Sequence, residues 1–291
     1  MRRIASGLIV IMSVLLVSCN GKTGNTITVG SDKLDNTQSY FSESMHKAAR
    51  CDSGYYYLDK CGASADNLMF YDDKSEESIV LCNKPQCGHD GEECMAYISG
   101  SEFKSELYYY NSYIYMISSK GNFVRISADG TQRTDLGSIC VLSGQDSVSM
   151  CFNDGYAYVS QEITGDIEGN VTVRLYRFNL DTGLSDKIYE ETGYGIGINS
   201  LKTYGSDTFF LKTSVSKDDK GLYSLEGKGI FRITGEDTEC LLDKNVYSYC
   251  IDADNNKLYY SGLGDGTIYE YDLGSGKSES IYKSDNDTGY F

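Results

Sequence analysis

Tryptophan is absent from the 291 residues, proline occurs once and histidine occurs twice. With only His46 and His89 available, a Ser/His/Asp or Cys/His catalytic unit would have to use one of them, and neither is flanked by a nucleophile motif. Positive charge is also scarce, because 26 Lys and Arg against 42 Asp and Glu give a formal net charge of −16. An acidic surface repels phosphates, so nucleic acid is not an expected partner.

Long apolar runs are missing as well. Arg2 and Arg3 precede an apolar stretch over 4–17 that is shorter than the roughly 20 residues of a transmembrane helix. A positive start and a short apolar run are typical of a secretory signal. The stretch ends Leu16-Val17-Ser18-Cys19, which resembles the lipobox of bacterial lipoproteins. The resemblance implies that 1–18 is a removed signal peptide and that Cys19 carries lipid (palmitate-type acyl chains), which anchors the protein to the cell membrane on its extracytoplasmic side. The alternative is an ordinary signal peptide with a chance cysteine.

Residues 19–39 are rich in Gly, Thr, Asn, Ser and Asp, which predicts a flexible tether. The remainder, 40–291, holds most of the apolar residues of a chain that is 40% hydrophobic, so it can form a core. The 26 tyrosines and 31 glycines of the full chain favour strands and turns over helices.

An internal repeat predicts the fold. Five copies of an aromatic or β-branched doublet each follow a turn: Gly54-Tyr55-Tyr56-Tyr57-Leu58, Ser112-Tyr113-Ile114-Tyr115-Met116, Gly155-Tyr156-Ala157-Tyr158-Val159, Asp207-Thr208-Phe209-Phe210-Leu211 and Lys257-Leu258-Tyr259-Tyr260-Ser261. Second strands are expected at 68–71, 123–126, 175–178, 230–233 and 268–271, with further short strands before and after them. Units of four strands that begin roughly 45 to 55 residues apart have the spacing of propeller blades.

The sequence therefore predicts an all-β fold, a β-propeller of four-stranded blades, with about five units and the start of a sixth at 287–291. That last segment either completes an earlier blade or opens a further one in a truncated chain, which is the favoured interpretation. A β-sandwich is the competing fold.

The doublets resemble degenerate YWTD repeats of low-density-lipoprotein-receptor-type propellers, and residues 124–133 match the strand-turn-strand that follows YWTD in those proteins. Over roughly 45–291 the chain also resembles propeller lipoproteins of anaerobic gut Firmicutes, which share the lipobox, the Tyr-rich doublets and a Cys-rich insert. The lack of tryptophan departs from the YWTD pattern.

A cysteine-rich insert at 82–106 interrupts the repeat. Cys82, Cys87, His89 and Cys94 lie within 13 residues and could supply the four soft ligands of a structural zinc site. The alternative is a disulfide staple with one cysteine left over, since exported proteins meet oxidising conditions. Three other pairs are close in sequence and could also form disulfides: Cys51 with Cys61, Cys140 with Cys151, and Cys240 with Cys250. No cofactor other than this possible zinc is expected.

Function is predicted at the level of class only. Loops of several blades gather at one end of a propeller axis, and tyrosines there could stack on sugars or contact a protein. The first expectation is a non-catalytic, monomeric binding or scaffold propeller for a protein, peptide or glycan, and not an enzyme. The alternative is an extracytoplasmic enzyme that acts on polysaccharide through paired carboxylates. A third hypothesis is a purely structural assembly lipoprotein.

Overall fold

The computed structural model describes residues 48–284, apart from 100–102, 104, 144–145, 166–168, 205–206, 236, 253, 263 and 265. Cys19, the expected tether at 19–39 and the expected terminal strand at 287–291 lie outside the described residues. Within the described part, no helix is long and apolar enough to cross a membrane.

The chain forms five antiparallel sheets whose first four strands follow one another in sequence order, and we call these sheets blades 1 to 5. Blade 1 contains β1 (Ala48–Cys51), β2 (Gly54–Gly62), β3 (Ala65–Asp72), β4 (Glu77–Val80) and β5 (Tyr97–Ser99). Blade 2 contains β6 (Tyr108–Tyr110), β7 (Tyr113–Ile117), β8 (Asn122–Ser127) and β9 (Arg133–Ser138). Blade 3 contains β10 (Ser147–Asn153), β11 (Tyr156–Thr164), β12 (Asn170–Asn179) and β13 (Ser185–Tyr194). Blade 4 contains β14 (Gly197–Tyr204), β15 (Asp207–Lys217), β16 (Tyr223–Thr234) and β17 (Asp237–Leu242). Blade 5 contains β18 (Val246–Asp252), β19 (Lys257–Gly262), β20 (Thr267–Asp272) and β21 (Lys277–Lys283).

This arrangement confirms the predicted all-β propeller of four-stranded blades. Each recurring doublet lies in the second strand of its blade. The first strands of blades 1 to 4 contact one another in succession, which places them innermost.

Alternation along the strands explains why the doublets recur. In β11, Ala157 and Val159 pack against blade 2, whereas Tyr158 between them packs against blade 4. Successive side chains of a strand point to opposite faces, so one doublet serves two blade interfaces. Four hydrophobic clusters fill the four interfaces between consecutive blades.

Aromatic rings dominate the interface between blades 2 and 3. The rings of Tyr115 and Phe152 have centroids 4.8 Å apart, and Phe123 meets Phe178 edge-on at 5.1 Å. The buried hydroxyl of Tyr108 accepts a hydrogen bond from the backbone amide of Met150 in blade 3, at 3.2 Å. The tyrosines thus bury large apolar surfaces while their hydroxyl groups keep hydrogen-bond partners.

The cysteine-rich segment returns to blade 1. Its end forms β5, which pairs with β3 at Ala65–Asn67, whereas β4 pairs with β3 only from Met69 to Asp72. The short β4 leaves the first half of β3 as an unpaired edge, and β5 covers that edge. Blade 1 therefore has a fifth strand that the repeat did not predict.

Candidate functional site

The structure brings Cys82, Cys87, His89 and Cys94 together, as the sequence spacing suggested. Their candidate ligand atoms all lie within 4.8 Å of one another, and His89 Nδ1 is 3.3 Å from Cys94 Sγ. Cys94 is buried and the other three are half-buried. None of the nine cysteines among the described residues is in a disulfide, so neither the staple nor the three sequence-adjacent pairs are formed.

Tight turns fold this segment back on itself. Gln86 and His89 have positive φ angles of 59° and 56°, which allow the sharp reversals around Cys87. The amide of Cys94 donates to the carbonyl oxygen of Gly91 at 2.9 Å. The start of the segment is held against blade 2, because the amide of Asn83 donates to the carbonyl oxygen of Gly130.

The thiols differ in acidity. Burial raises the pKa of Cys82. Hydrogen bonds from the Lys84 and Met95 amides and from the neighbouring thiols lower this pKa by a larger amount, so the net shift is downward. Burial, together with the adjacent thiols, raises the pKa of Cys94 to about 11. Adjacent thiolates repel one another, and a bound divalent cation removes this repulsion.

The donor set fits zinc. Three sulfurs and one imidazole nitrogen are a donor set found in structural zinc sites, where four protein ligands would leave no coordination position for water. The Ala96 amide also donates to the Cys94 sulfur, and such outer hydrogen bonds support metal-bound thiolates.

A second candidate site is a groove between blades 4 and 5, with a cavity volume of about 360 Å³. We call it the blade 4–5 groove. Uncharged residues line it: Asn199, Ser200, Leu211, Thr213, Leu225, Gly227, Asn245, Val246, Tyr247 and Ser248. At its rim, Tyr247 is 54% exposed and Leu225 is 55% exposed.

Hydrogen bonds fix the polar side chains of the groove. Asn199 Nδ2 donates to Thr213 Oγ1 at 3.0 Å, and the amide of Gly227 donates to Asn245 Oδ1 at 2.7 Å. Gly227 is required there, because a Cβ atom would lie 2.2 Å from the carbonyl oxygen of Val246. The groove is therefore held by blade backbone rather than by long side chains.

One carboxylate lies beside this groove. Glu162 Oε1 accepts a hydrogen bond from the amide of Ile198 at 3.0 Å. A Cβ atom on Gly197 would lie 3.0 Å from Glu162 Oε1 and 2.9 Å from Thr213 Oγ1, so both oxygens border the space over that glycine. A carboxylate thus adjoins a hydroxyl of the groove lining.

Six carboxyl groups elsewhere in the fold are held in their ionised form by lowered pKa values. Among the described carboxyl groups, every resolved pKa shift is downward, for Asp72, Asp129, Glu190, Glu191, Glu226 and Asp272. Burial raises the pKa of Glu191, but hydrogen bonds from Lys212 and Tyr189 outweigh it. A general acid of a glycoside hydrolase needs a raised pKa, so these groups do not supply the predicted carboxylate pair.

The cluster of Cys82, Cys87, His89 and Cys94, which we call the tetrad, was predicted from the sequence because its members are close along the chain. The blade 4–5 groove was not predicted, because the residues that line it come from four separate segments around 199, 211, 225 and 247. Only the polar starts of β14 and β18 hinted at it, as Asn199-Ser200 and Tyr247-Ser248.

No protein-family model matches the chain, and no curated protein matches it. Among solved structures, a puromycin hydrolase mutant matches with a TM-score of 0.50 and 11% identity over 82% of this chain and 39% of that chain. The chain thus spans about two fifths of that hydrolase. An oligogalacturonate lyase from Vibrio parahaemolyticus matches with a TM-score of 0.35 and 8% identity over 87% of this chain and 84% of that chain.

The likeness to the hydrolase corrects one prediction. The sequence predicted that the chain is not an enzyme, and this is contradicted, because the solved structure that matches with a TM-score of 0.50 is a hydrolase. At 11% identity the hydrolase likeness establishes the propeller fold alone, since one fold serves many activities.

Proposed function

We propose that the chain is an extracytoplasmic propeller, anchored by lipid on Cys19, that binds a neutral saccharide chain in the blade 4–5 groove. The observation that carries the proposal is the lining of that groove. Asn199, Thr213, Asn245 and Ser248 offer neutral donors and acceptors, and Tyr247 offers an exposed ring at the rim. Few polar groups in a largely apolar concavity are the usual composition of a small-ligand site.

The absence of charged side chains from the described lining of the groove favours a neutral ligand over a charged one. No ionisable side chain of Asp, Glu, Lys or Arg lines it in the described part of the chain. A ligand with a formal charge would lose hydration there without gaining a counter-ion. A hydroxyl-rich neutral sugar can exchange water for the amides and hydroxyls and can pack one face on Tyr247.

Calorimetric titration with neutral oligosaccharides tests this proposal on the full chain purified in detergent. Tyr247→Ala is expected to weaken binding about tenfold, because it removes the stacking surface. Tyr282→Ala is the matched control, since Tyr282 is 51% exposed on the last strand of blade 5 and lies outside the groove. Equal effects of the two substitutions, or no binding to the unsubstituted chain, would contradict the proposal.

A second candidate function is cleavage of the bound polysaccharide, and the position of Glu162 beside Thr213 favours it. Glu162→Gln keeps an oxygen that accepts the Ile198 amide but removes the charge. Release of reducing ends from neutral polysaccharides should fall at least about a hundredfold in this variant if the carboxylate performs acid–base chemistry. Unchanged release, or none from the unsubstituted chain, would remove this candidate and leave binding.

We further propose that the Cys82/Cys87/His89/Cys94 tetrad holds one structural zinc ion that clamps the cysteine-rich segment onto blades 1 and 2. Support comes from the four ligand atoms within 4.8 Å of one another. Elemental analysis of the full chain should give about one zinc per chain. Cys87→Ser should lose the metal and lower the melting temperature, whereas Cys240→Ser, at an exposed thiol of blade 4, should keep both unchanged.

A further inference from the structure

The β15–β16 hairpin of blade 4 projects beyond the neighbouring blade 5. In these two blades the second strand starts at Asp207 and at Lys257, each of which pairs with the last residue of the first strand. β15 then runs for 11 residues to Lys217, whereas β19 ends after 6 residues at Gly262. The longer strand carries the hairpin roughly 16 Å further, at about 3.3 Å per residue. The end of the hairpin therefore has no counterpart strand among the described residues of blade 5.

The projecting part of the hairpin has one polar face and one largely apolar face. On the polar face, Ser216 Oγ is 2.9 Å from Ser224 Oγ of the paired strand and donates to Glu226 Oε1 at 2.6 Å. Successive side chains of a strand point to opposite faces, so Tyr223 and Leu225 of β16 lie on the other face. Leu225 lines the blade 4–5 groove. The face that carries Tyr223 is therefore a continuation of the groove lining.

Exposed apolar side chains are concentrated on this part of the surface. Eleven large hydrophobic side chains are exposed among the described residues, and five of them lie on the hairpin, directly beside it or at the groove rim: Tyr194, Leu222, Tyr223, Leu225 and Tyr247. Such a concentration costs hydration free energy in a chain that is otherwise acidic and soluble. It is typical of a surface that contacts a ligand or a partner.

The ring of Tyr223 is held in place by two neighbours. It stacks on Tyr194 of β13, with centroids 6.5 Å apart and an angle of 23° between the ring planes. Lys217 Nζ lies 5.1 Å from the centroid of the same ring. Tyr223 nevertheless remains 59% exposed. A tyrosine that is already ordered loses little conformational entropy when a ligand packs on it, so it can add to the binding free energy.

The groove itself has room for only a short part of a chain. Its volume of about 360 Å³ is near the lower end of the roughly 300 to 1,000 Å³ of small-ligand sites. A longer saccharide chain must therefore leave the groove and run over the surface next to it. The apolar face of the hairpin continues directly from the groove lining at Leu225 and leads to Tyr223.

From this arrangement we propose that the ligand is a neutral saccharide chain longer than the groove, and that Tyr223 forms a second subsite for the units that extend beyond it. The inference rests on the proposed saccharide binding in the groove and adds selection for chain length. One face of a sugar unit packs on the Tyr223 ring, and Lys217 beside it can donate a hydrogen bond to a sugar hydroxyl. Tyr247 and Tyr223 then act on different units of one chain.

Titration calorimetry on the full chain in detergent tests the second subsite, with cellobiose and cellohexaose in one arm and maltose and maltohexaose in the other. In the series that binds, the hexasaccharide should bind about tenfold more tightly than the disaccharide. Tyr223→Ala should remove this gain and leave the disaccharide affinity unchanged, whereas Tyr223→Phe keeps the ring and should keep the gain. Ser224→Ala is the matched control, because Ser224 is the next residue of β16 and lies on the polar face.

Equal affinities for the two lengths, or a hexasaccharide affinity that Tyr223→Ala does not change, would overturn the second subsite. Disaccharide binding that still depends on Tyr247 would in that case keep the groove proposal. An equal loss in the Ser224→Ala chain would also overturn the subsite, because it would assign the effect to the hairpin as a whole. Hexasaccharide binding that requires Tyr223 but not Tyr247 contradicts the groove and keeps the hairpin as the saccharide surface. No binding of any of the four sugars contradicts both.

Discussion

At the scale of single residues, Asp129 shows how one carboxylate organises the turn between β8 and β9, which contacts blade 1. Its Oδ1 accepts hydrogen bonds from the Ser127 hydroxyl at 2.6 Å and from the Thr131 hydroxyl at 2.7 Å. The neighbouring carbonyl oxygen of Ala128 accepts the hydroxyl of Tyr56 from blade 1. These donors, led by Ser127, lower the pKa of Asp129 to about 2.

A pH dependence follows from this shift. Because the pKa in the folded chain lies below the ordinary value of 3.8, the carboxylate stabilises the fold above about pH 4, and this contribution is lost as the pH falls towards 2. Asp129→Ala should therefore lower the melting temperature at neutral pH, and the difference from the unsubstituted chain should shrink between pH 4 and pH 2. Asp181→Ala is the control, because the Asp181 carboxylate accepts no hydrogen bond in the described part of the chain. Thermal melts with a constant difference across this range would contradict the assignment.

At the scale of elements, the turn between β7 and β8 illustrates where a strand connection tolerates no side chain. Gly121 has a φ of 85°, and a Cβ atom there would lie 1.9 Å from the carbonyl oxygen of Cys140. Its carbonyl oxygen also accepts a hydrogen bond from the amide of Ile139 at 2.9 Å, so the turn is tied to the residue directly after β9. Both the backbone conformation and the space exclude other residues.

Gly121→Ala should lower the free energy of unfolding by about 2 kcal/mol or more, since it adds strain and displaces a backbone contact. Gly62→Ala in β2 is a matched control, because a Cβ atom at Gly62 meets nothing within 4 Å. Urea unfolding measures both. A loss at Gly62 as large as that at Gly121 would show that glycine replacement in general, and not this contact, is responsible.

The limits of prediction from sequence also show at this scale. The strand that follows each doublet was predicted near its observed place, as the third strand of its blade, because a short apolar run bounded by turn residues marks a strand that is buried on both faces. β12 and β16 extend well beyond the predicted 175–178 and 230–233, to Asn170–Asn179 and Tyr223–Thr234. Their extra residues are largely polar or exposed and pair through the backbone, so hydrophobic pattern does not reveal them. The same reason hides the blade 4–5 groove, whose lining is neutral and scattered along the chain.

At the scale of the whole molecule, the repeat explains a surface that the sequence alone did not reveal. Cys151 pairs with Tyr158 across β10 and β11, and both are buried against blade 4. Cys250 pairs with Tyr259 at the equivalent place of blade 5, yet Cys250 is exposed. A small cavity of about 240 Å³ opens over Cys250, Tyr259 and Ile268. The face of blade 5 that carries Cys250, Tyr259 and Ile268 has the composition of a blade interface. Among the described residues, no hydrophobic cluster joins this face to blade 1.

Thiol alkylation followed by peptide mass spectrometry tests whether that face is open in the native chain. Cys250 should react with iodoacetamide at a rate close to that of the exposed Cys61, because nothing in the described part of the fold covers it. Cys151 should react only after unfolding, since it is buried and its pKa is raised to about 12 by that burial. If Cys250 is protected as strongly as Cys151, the face is covered, either by closure onto blade 1 or by a second copy. Tyr259→Glu would then separate these cases: a charge at the interface would dissociate a dimer in light-scattering measurements, whereas a chain closed on itself would stay monomeric and lose stability.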